Sequence, residues 1–247
     1  MSLIVAIAAG ITGYLIGSIS FARLVVRIRA PGGDVSTIEH RMEGGKETFE
    51  SGSVGATAVR QQLGTRYGCL VAILDILKGL LPTLVFKLWQ PDAPYYLIAA
   101  ILTIVGHNYP LYHSFRGGRG LSTLYGGFLV LDWIGVLVTN TAGVLLGGLV
   151  GQVMLMRYTG LVLMIPWTWF RTHDTAKLAY VLVANALFWY AIWPELSQVL
   201  RLRTAEERPD EQQLAEMMGM GSVYRVLERF SLVSLLGKKE EDERDGV

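Results

Sequence analysis

Apolar positions group into long runs that are separated by short polar segments. The runs consist of apolar or small residues and cover 3–26, 69–89, 95–112, 121–131, 133–156, 158–170 and 178–200. A helix needs about 20 residues to cross a bilayer, and strands of a soluble domain are much shorter. We therefore predict an all-α fold, a polytopic membrane bundle of about seven transmembrane helices, some of them short or tilted.

Composition supports a membrane protein and excludes several other classes. Of 247 residues, 51% are hydrophobic and 17% are charged, and the mean hydropathy is +0.38. Such a chain has too few polar residues to cover its surface in water. A net charge of +1 says nothing about nucleic acid by itself, and we expect no nucleic-acid partner. The single cysteine, Cys69, offers neither an intrachain disulfide nor a metal-ligand spacing, so we expect no metal and interpret it as a lipid-facing or packed small residue.

Basic residues predict the orientation in the membrane, because short cytoplasmic loops are enriched in Lys and Arg. The first loop contains Arg27, Arg29, Arg41, Lys46, Arg60 and Arg66. The third contains Arg116 and Arg119, whereas residues 90–94 between the second and third runs are free of Lys and Arg. We expect an outside amino terminus and a cytoplasmic carboxyl terminus in the cell membrane.

Two domains are predicted from the change of composition near residue 203. Residues 1–203 form the transmembrane domain, and residues 204–247 form a charged cytoplasmic tail. An apolar repeat in the tail is typical of an amphipathic helix at a membrane surface. The alternative for its last residues is a frayed, solubilising end.

The first candidate site lies where one apolar run ends and the next begins. His107 and Asn108 precede a glycine-rich loop, residues 116–120, which opens the run that contains Thr123. Gly117, Gly118 and Gly120 surround Arg119, and glycine lets backbone N–H groups turn toward one point at a helix start. The pattern predicts an anion site. The alternative is a tight turn in which the arginines only set topology.

A second candidate is the serine-glycine turn, residues 51–55, before another predicted helix. Ser51, Gly52 and Ser53 lead into Thr57 and Arg60. Small hydroxyl residues and glycines before a helix suit phosphate binding. Such runs also occur in flexible loops, and that interpretation stays open.

A third candidate consists of Asp75 and Lys78 within an apolar run. Ionisable groups in a membrane are costly and face the bundle interior, and a spacing of three places both on one helix side. The pair is either a neutralising ion pair or part of a polar site between helices.

The order of these motifs resembles the PlsY family of bacterial membrane acyl-phosphate:glycerol-3-phosphate acyltransferases. The matching segments are Gly17-Ser18-Ile19-Ser20-Phe21, Ser51 to Thr57, Asp75 to Gly79, Gly106 to Pro110 and Phe115 to Thr123. The resemblance covers roughly residues 13–127. It implies a seven-helix enzyme of phospholipid biosynthesis that transfers an acyl group from acyl phosphate to glycerol 3-phosphate, giving lysophosphatidic acid and inorganic phosphate without a cofactor.

The resemblance also assigns roles to residues. His107, Arg119 and Lys78 are the expected catalytic residues, with His107 orienting or deprotonating the glycerol hydroxyl unless a substrate phosphate takes that proton. The expected substrate-binding residues are Ser51, Gly52, Ser53, Thr57, Arg60, Asn108, Gly117, Gly118, Gly120 and Thr123.

Several positions depart from the family pattern. Gln61 stands where the family has Arg, Arg119 replaces Lys, and the last run lacks a His-Arg-x-Asn motif that helps hold glycerol phosphate. Three alternatives therefore remain: a transferase with another acceptor alcohol, an anion transporter or channel, and a lipid-binding scaffold without catalysis.

Overall fold

The computed structural model describes residues 2–33, 38–41, 48–51, 54–204 and 210–231, which are mainly helical. The helices are α1 Leu3–Gly17, α2 Phe21–Arg29, α3 Ala56–Leu63, α4 Thr65–Trp89, α5 Tyr95–Asn108, α6 Leu121–Val150, α7 Val153–Thr172, α8 Thr175–Thr204, α9 Glu211–Met217 and α10 Gly221–Glu228, with a 3-10 turn at Leu111–His113. The all-helical prediction is confirmed, and the described residues contain one short hairpin in addition. The strands β1 Ile38–Arg41 and β2 Thr48–Ser51 pair antiparallel, with Ile38 opposite Ser51.

Five helical stretches in the described residues are long and apolar enough to cross a membrane: Leu3–Arg29, Thr65–Trp89, Leu121–Val150, Val153–Thr172 and Thr175–Arg201. The predicted runs 121–131 and 133–156 are separated at Asp132, where φ is −159° and ψ is 94° and two helical arms of α6 meet at a kink. The arms fold back on each other, because the Tyr125 hydroxyl donates a 2.6 Å hydrogen bond to Asn140 Oδ1 on the other arm. The second arm ends at Val150, and the last residues of the run belong to α7. The Asp132 carboxylate accepts hydrogen bonds from the Gly135 backbone (3.0 Å) and the Trp167 indole (2.9 Å), and both bonds stabilise this break.

A second break separates α1 from α2. The Ser20 hydroxyl accepts a hydrogen bond from the Arg23 N–H, a donor that an uninterrupted helix would direct to the Ile19 carbonyl. That carbonyl instead accepts a hydrogen bond of 2.9 Å from Lys78 Nζ of α4. The break therefore creates the acceptor that fixes a buried lysine.

Glycines allow the central helices to approach each other closely. A Cβ at Gly13 or Gly17 of α1 would collide with backbone carbonyls of α5, and one at Gly79 of α4 would collide with the Thr123 carbonyl of α6. Small residues at crossings are typical of membrane bundles, since packing between helices replaces the hydrophobic effect. These crossings bring the start of α6 and the end of α5 next to Asp75 and Lys78.

The tail contains two short helices, α9 and α10, in place of the single surface helix that its apolar repeat predicted. Leu214 of α9 packs with Val199 of α8, and Tyr224 of α10 packs with Val153 and Met156 of α7. The described part of the tail is therefore docked on the bundle.

Candidate functional site

The two predicted anion-binding segments touch each other at one end of the bundle. The Val54 N–H, within the serine-glycine turn, donates a 3.2 Å hydrogen bond to the Gly117 carbonyl in the glycine-rich loop. The Gly118 N–H donates a 3.1 Å hydrogen bond to the His107 carbonyl at the end of α5. Three segments that are distant in sequence thus form one backbone framework.

Glycine is required at several positions of this framework. A Cβ at Gly118 would collide with the His107 imidazole, and one at Gly117 would collide with the His107 carbonyl. Gly120 has a φ of +78°, and its Cβ would lie 2.6 Å from Asn108 Oδ1. Because these glycines have no side chains, the loop can lie directly on the end of α5.

A cavity of about 240 Å³ lies beside this framework. Its lining includes side chains from all three candidate motifs: Thr57 and Arg60 of α3, Asp75 of α4, His107 of α5 and Arg119 of the glycine-rich loop. Arg60 and Gln61, which compete for the family's Arg position, both reach the site. Arg60 lines this cavity, and Gln61 lines an adjoining one of about 50 Å³.

Arg119 lines both cavities and forms an ion pair with Glu195 of α8. Burial lowers the pKa of Arg119 to about 10, which leaves the guanidinium charged at neutral pH. Burial is also the largest cause of a lowered pKa at Arg60, followed by the positive charge of Arg157. The cavity wall is therefore cationic, and one carboxylate partly offsets that charge.

Asp75, Lys78 and His107 form a buried group behind the cavity. Lys78 Nζ lies 2.9 Å from Asp75 Oδ1, and His107 Nδ1 lies 3.7 Å from the same oxygen. Lys78 lines a separate narrow crevice beside Ser20 and Gly117. His107 and Asp75 line this crevice as well as the cavity, so they lie between Lys78 and the cavity.

The remaining predicted residues lie at varying distances from the cavity. Asn108 and Thr123 are buried, and within the described residues their side-chain polar atoms have no hydrogen-bond partner. Ser51 ends β2, where only the backbone is described, and Gly52 and Ser53 lie outside the described residues.

The cavity residues that were not predicted from the sequence include Arg157 and Tyr158 of α7, Glu195 of α8 and Met218 of the tail. Arg157 could have been noticed in the sequence, because it is a lone charge between two apolar runs. An arginine in an ordinary loop between two helices gives the same pattern, so the sequence does not place it at the site. Cys69, expected to be lipid-facing or packed, is exposed and lines the larger cavity.

Comparison with known proteins gives the site a family. A family model described as glycerol-3-phosphate acyltransferase matches residues 7–204. The chain belongs to this family. The resemblance drawn from the motifs is thereby confirmed, and the glycine-rich loop and the serine-glycine turn lie within the matched region.

Relatives of the glycerol-3-phosphate acyltransferase family match most of the chain. The enzyme of that name from Halalkalibacterium halodurans is 30% identical over 207 residues, which cover 80% of this chain and 91% of the relative. A crystal structure of PlsY (YgiH), an integral membrane glycerol 3-phosphate acyltransferase, in its glycerol 3-phosphate form superposes with a TM-score of 0.68 at 26% identity, covering 85% of this chain and 98% of that one. Its lysophosphatidic acid form gives 0.67 at 25% identity with the same coverage.

These matches confirm that the chain is an acyltransferase and a multi-pass membrane protein. In the part of the chain that the structure describes, no cluster of His, Cys, Asp and Glu suits a metal ion.

Proposed function

We propose that this protein transfers a fatty acyl group from acyl phosphate to glycerol 3-phosphate, giving lysophosphatidic acid and inorganic phosphate. The supporting observation is the contact between Val54 and Gly117, because it joins the two anion-binding segments at one cavity. Both substrates carry a phosphate group, so the reaction needs two anion sites side by side. The glycerol 3-phosphate and lysophosphatidic acid forms of PlsY support the same acceptor and product here.

The proposed reaction is one displacement at the acyl carbon. The glycerol hydroxyl oxygen attacks the carbonyl carbon of acyl phosphate, and a new ester bond forms as the bond from that carbon to the phosphate oxygen breaks. The electron pair leaves with the phosphate. The hydroxyl proton ends on the released phosphate, either directly or by way of His107, whose ring lines the cavity. Because acyl phosphate already has a good leaving group, the protein contributes mainly orientation and charge stabilisation.

The side chains divide these tasks by position. Arg119 and the N–H groups of the glycine-rich loop bind the donor phosphate, and Gly55 and Thr57 line the same cavity. Asp75 lies 3.7 Å from the His107 imidazole, close enough to orient it once substrate is bound, and Lys78 pairs with Asp75 at 2.9 Å. On this assignment His107 and Arg119 touch substrate, whereas Lys78 is a positioning residue.

The membrane arrangement follows from the same proposal. Counting α5 and the two halves of α6 on either side of Asp132 separately gives seven membrane segments, with α1, α4, α7 and α8 as the others. Residues 1–203 form the transferase domain and residues 204–247 the tail. The basic loops place the site and the tail on the cytoplasmic side of the cell inner membrane, where the acyl chain of the donor can lie along the apolar bundle surface.

A second candidate is a transferase that uses the same donor with an acceptor alcohol that carries less negative charge than glycerol 3-phosphate. It is favoured by Glu195, whose carboxylate lines the smaller cavity beside Arg119. A carboxylate at this position repels an acceptor phosphate.

The test is phosphate release from acyl phosphate by the full-length protein in bilayer discs, with the lipid product measured in parallel. Release that depends on glycerol 3-phosphate and yields lysophosphatidic acid supports the proposal. Release only with another alcohol supports the second candidate, and anion flux in sealed vesicles supports a transporter.

A binding measurement completes the test when no turnover is seen. Cys69 is the only cysteine of the chain and lines the cavity, so its alkylation rate reports whether the cavity is occupied. Protection by acyl phosphate without turnover supports the scaffold, and an absence of protection contradicts a donor site in this cavity.

A further inference from the structure

Residues 216–219, which end α9 and lead toward α10, form a turn that lies against the cavity; we name it the tail turn. Three consecutive carbonyls of this turn accept hydrogen bonds from Arg60, Gln61 and Arg157. The bonds from Arg60 and Gln61 measure 2.8 and 3.2 Å. The last carbonyls of a helix lack partners within it and carry its negative partial charge, so they are suited to hold cationic side chains.

Arg60 and Arg157 are two like charges on one cavity wall. Both line the larger cavity, and the charge of Arg157 contributes to the lowered pKa of Arg60. Within the described ranges, neither guanidinium forms an ion pair with a carboxylate. The tail turn offers only partial negative charge, so most of the positive charge remains available to a ligand.

Arg157 has hydrogen-bonding capacity that the described residues leave unused. Its Nη1 donates to the Met218 carbonyl, but its Nε is buried and has no hydrogen-bond partner among the described residues. A buried donor without a partner destabilises the protein. An anion in the cavity would satisfy this donor.

The tail turn is held firmly against the bundle. The Glu211 carboxylate at the start of α9 accepts a 3.0 Å hydrogen bond from the Val153 N–H at the start of α7. Leu214 and Tyr224, on either side of the turn, are buried against α7 and α8. The position of the three carbonyls is therefore fixed by the packing of both tail helices.

Gly219 lets the turn approach Arg60. Its φ is +80°, and a Cβ there would lie 2.8 Å from Arg60 Cζ. Any side chain would both strain the backbone and displace the guanidinium. The close contact of the turn with Arg60 therefore depends on glycine at this position.

We propose that Arg157, held beside Arg60 by the tail turn, binds the phosphate group of the acceptor alcohol, so that the tail completes the acceptor site. This inference rests on the proposed function. Two guanidiniums match a phosphate monoester dianion in charge and in the number of donors. Arg119, on the glycine-rich loop, serves the donor phosphate instead. The tail turn lies beyond residue 204, where the family match ends, so the tail contribution is additional to the family model.

The first test replaces Arg157 in the full-length protein. Arg157→Gln should raise the KM for glycerol 3-phosphate about tenfold or more, because charge-assisted hydrogen bonds are lost, and should leave the KM for acyl phosphate within about threefold. Arg157→Lys keeps the charge and should recover part of the loss. Arg225→Gln, an exposed change in α10, is the matched control and should have no effect. An equal rise in both KM values, or none, overturns the proposal.

The second test distinguishes the effect of displacing the tail turn from the effect of straining the backbone. Gly219→Ala and Gly32→Ala both place Ala at positive φ, +80° and +88°, but only the first meets Arg60, because Gly32 has nothing within 4 Å. Gly219→Ala should raise the KM for glycerol 3-phosphate several-fold with little change in kcat, and Gly32→Ala should not. Equal shifts of the melting temperature with no change in this KM contradict a role for the tail turn.

A third measurement keeps this inference separate from the proposed function. Inorganic phosphate should slow alkylation of Cys69 in the unchanged protein and do so more weakly in Arg157→Gln. If glycerol 3-phosphate gives no turnover, the proposed function fails, and the difference in protection still decides whether Arg157 binds phosphate. Equal protection in both proteins overturns the inference even when the enzyme is active.

Discussion

Two ion pairs of this molecule differ in burial, and the difference separates support of the fold from binding of substrate. Asp75 and Lys78 lie one helix turn apart in α4, with side chains only 4% and 2% exposed, and Ile19 supplies a further acceptor to the lysine. Arg119 and Glu195 come from a loop and from α8, are 19% and 12% exposed, and face the cavities.

The two pairs differ in whether one partner can be replaced by another group. A charge deep in a membrane bundle has no water to replace a lost partner, so the first pair must stay intact in every state of the protein. The second pair borders an open cavity, where a phosphate oxygen can replace a carboxylate oxygen on the same guanidinium. Three substitutions test this distinction.

The largest effect is expected when the buried pair is broken. Asp75→Asn leaves Lys78 charged without its counterion, and removing one partner of a buried pair costs about 3–5 kcal/mol. The variant should unfold at a clearly lower temperature in detergent, as measured by thermal denaturation of the purified protein.

The double variant Asp75→Asn with Lys78→Met is the control, because it removes both charges. It should recover much of the lost stability. If it is stable but inactive, the pair of Asp75 and Lys78 contributes to turnover in addition to structure. A single variant as stable as the unchanged protein would contradict the structural role assigned to this pair.

The next effect is expected at the cavity-facing pair of Arg119 and Glu195. Arg119→Ala should lower turnover about a hundredfold, since one donor that stabilises developing charge contributes a few kcal/mol, while the melting temperature changes little. Arg119→Lys keeps the charge but loses the planar fork and should retain part of the activity. Arg116→Ala, an exposed change in the same loop, is the matched control. Near-normal turnover of Arg119→Ala would rule out this residue as the donor phosphate site.

The sequence predicted the membrane character and the converging motifs because both depend on local signals. Long apolar runs indicate helices wherever they occur, and the segments around Gly17, Asp75 and Gly118 form an ordered pattern that resembles one family. The pair of Asp75 and Lys78 was also predictable, because a spacing of three on a helix places two side chains together.

Tertiary contacts were not predictable from the same signals. Glu195 reaches Arg119 only because α8 passes beside the glycine-rich loop, and the tail turn reaches Arg157 only because α9 docks on α7 and α8. The apolar runs indicate the break of α6 at Asp132, but not the hydrogen bonds that Gly135 and Trp167 donate to its carboxylate.

The smallest effect is expected at Glu195, and it tests the comparison most directly. Glu195→Gln removes a carboxylate that competes with phosphate for Arg119, so inorganic phosphate should bind the variant several-fold more tightly, because a like charge near an anion site weakens binding. The rise of the melting temperature with phosphate concentration measures this affinity, because a ligand that binds the folded state stabilises the protein more at higher concentration. Glu228→Gln in α10 is the control and should respond like the unchanged protein. Weaker phosphate binding by Glu195→Gln would mean that the carboxylate orients Arg119. The cavity-facing pair would then be structural, as the buried pair of Asp75 and Lys78 is.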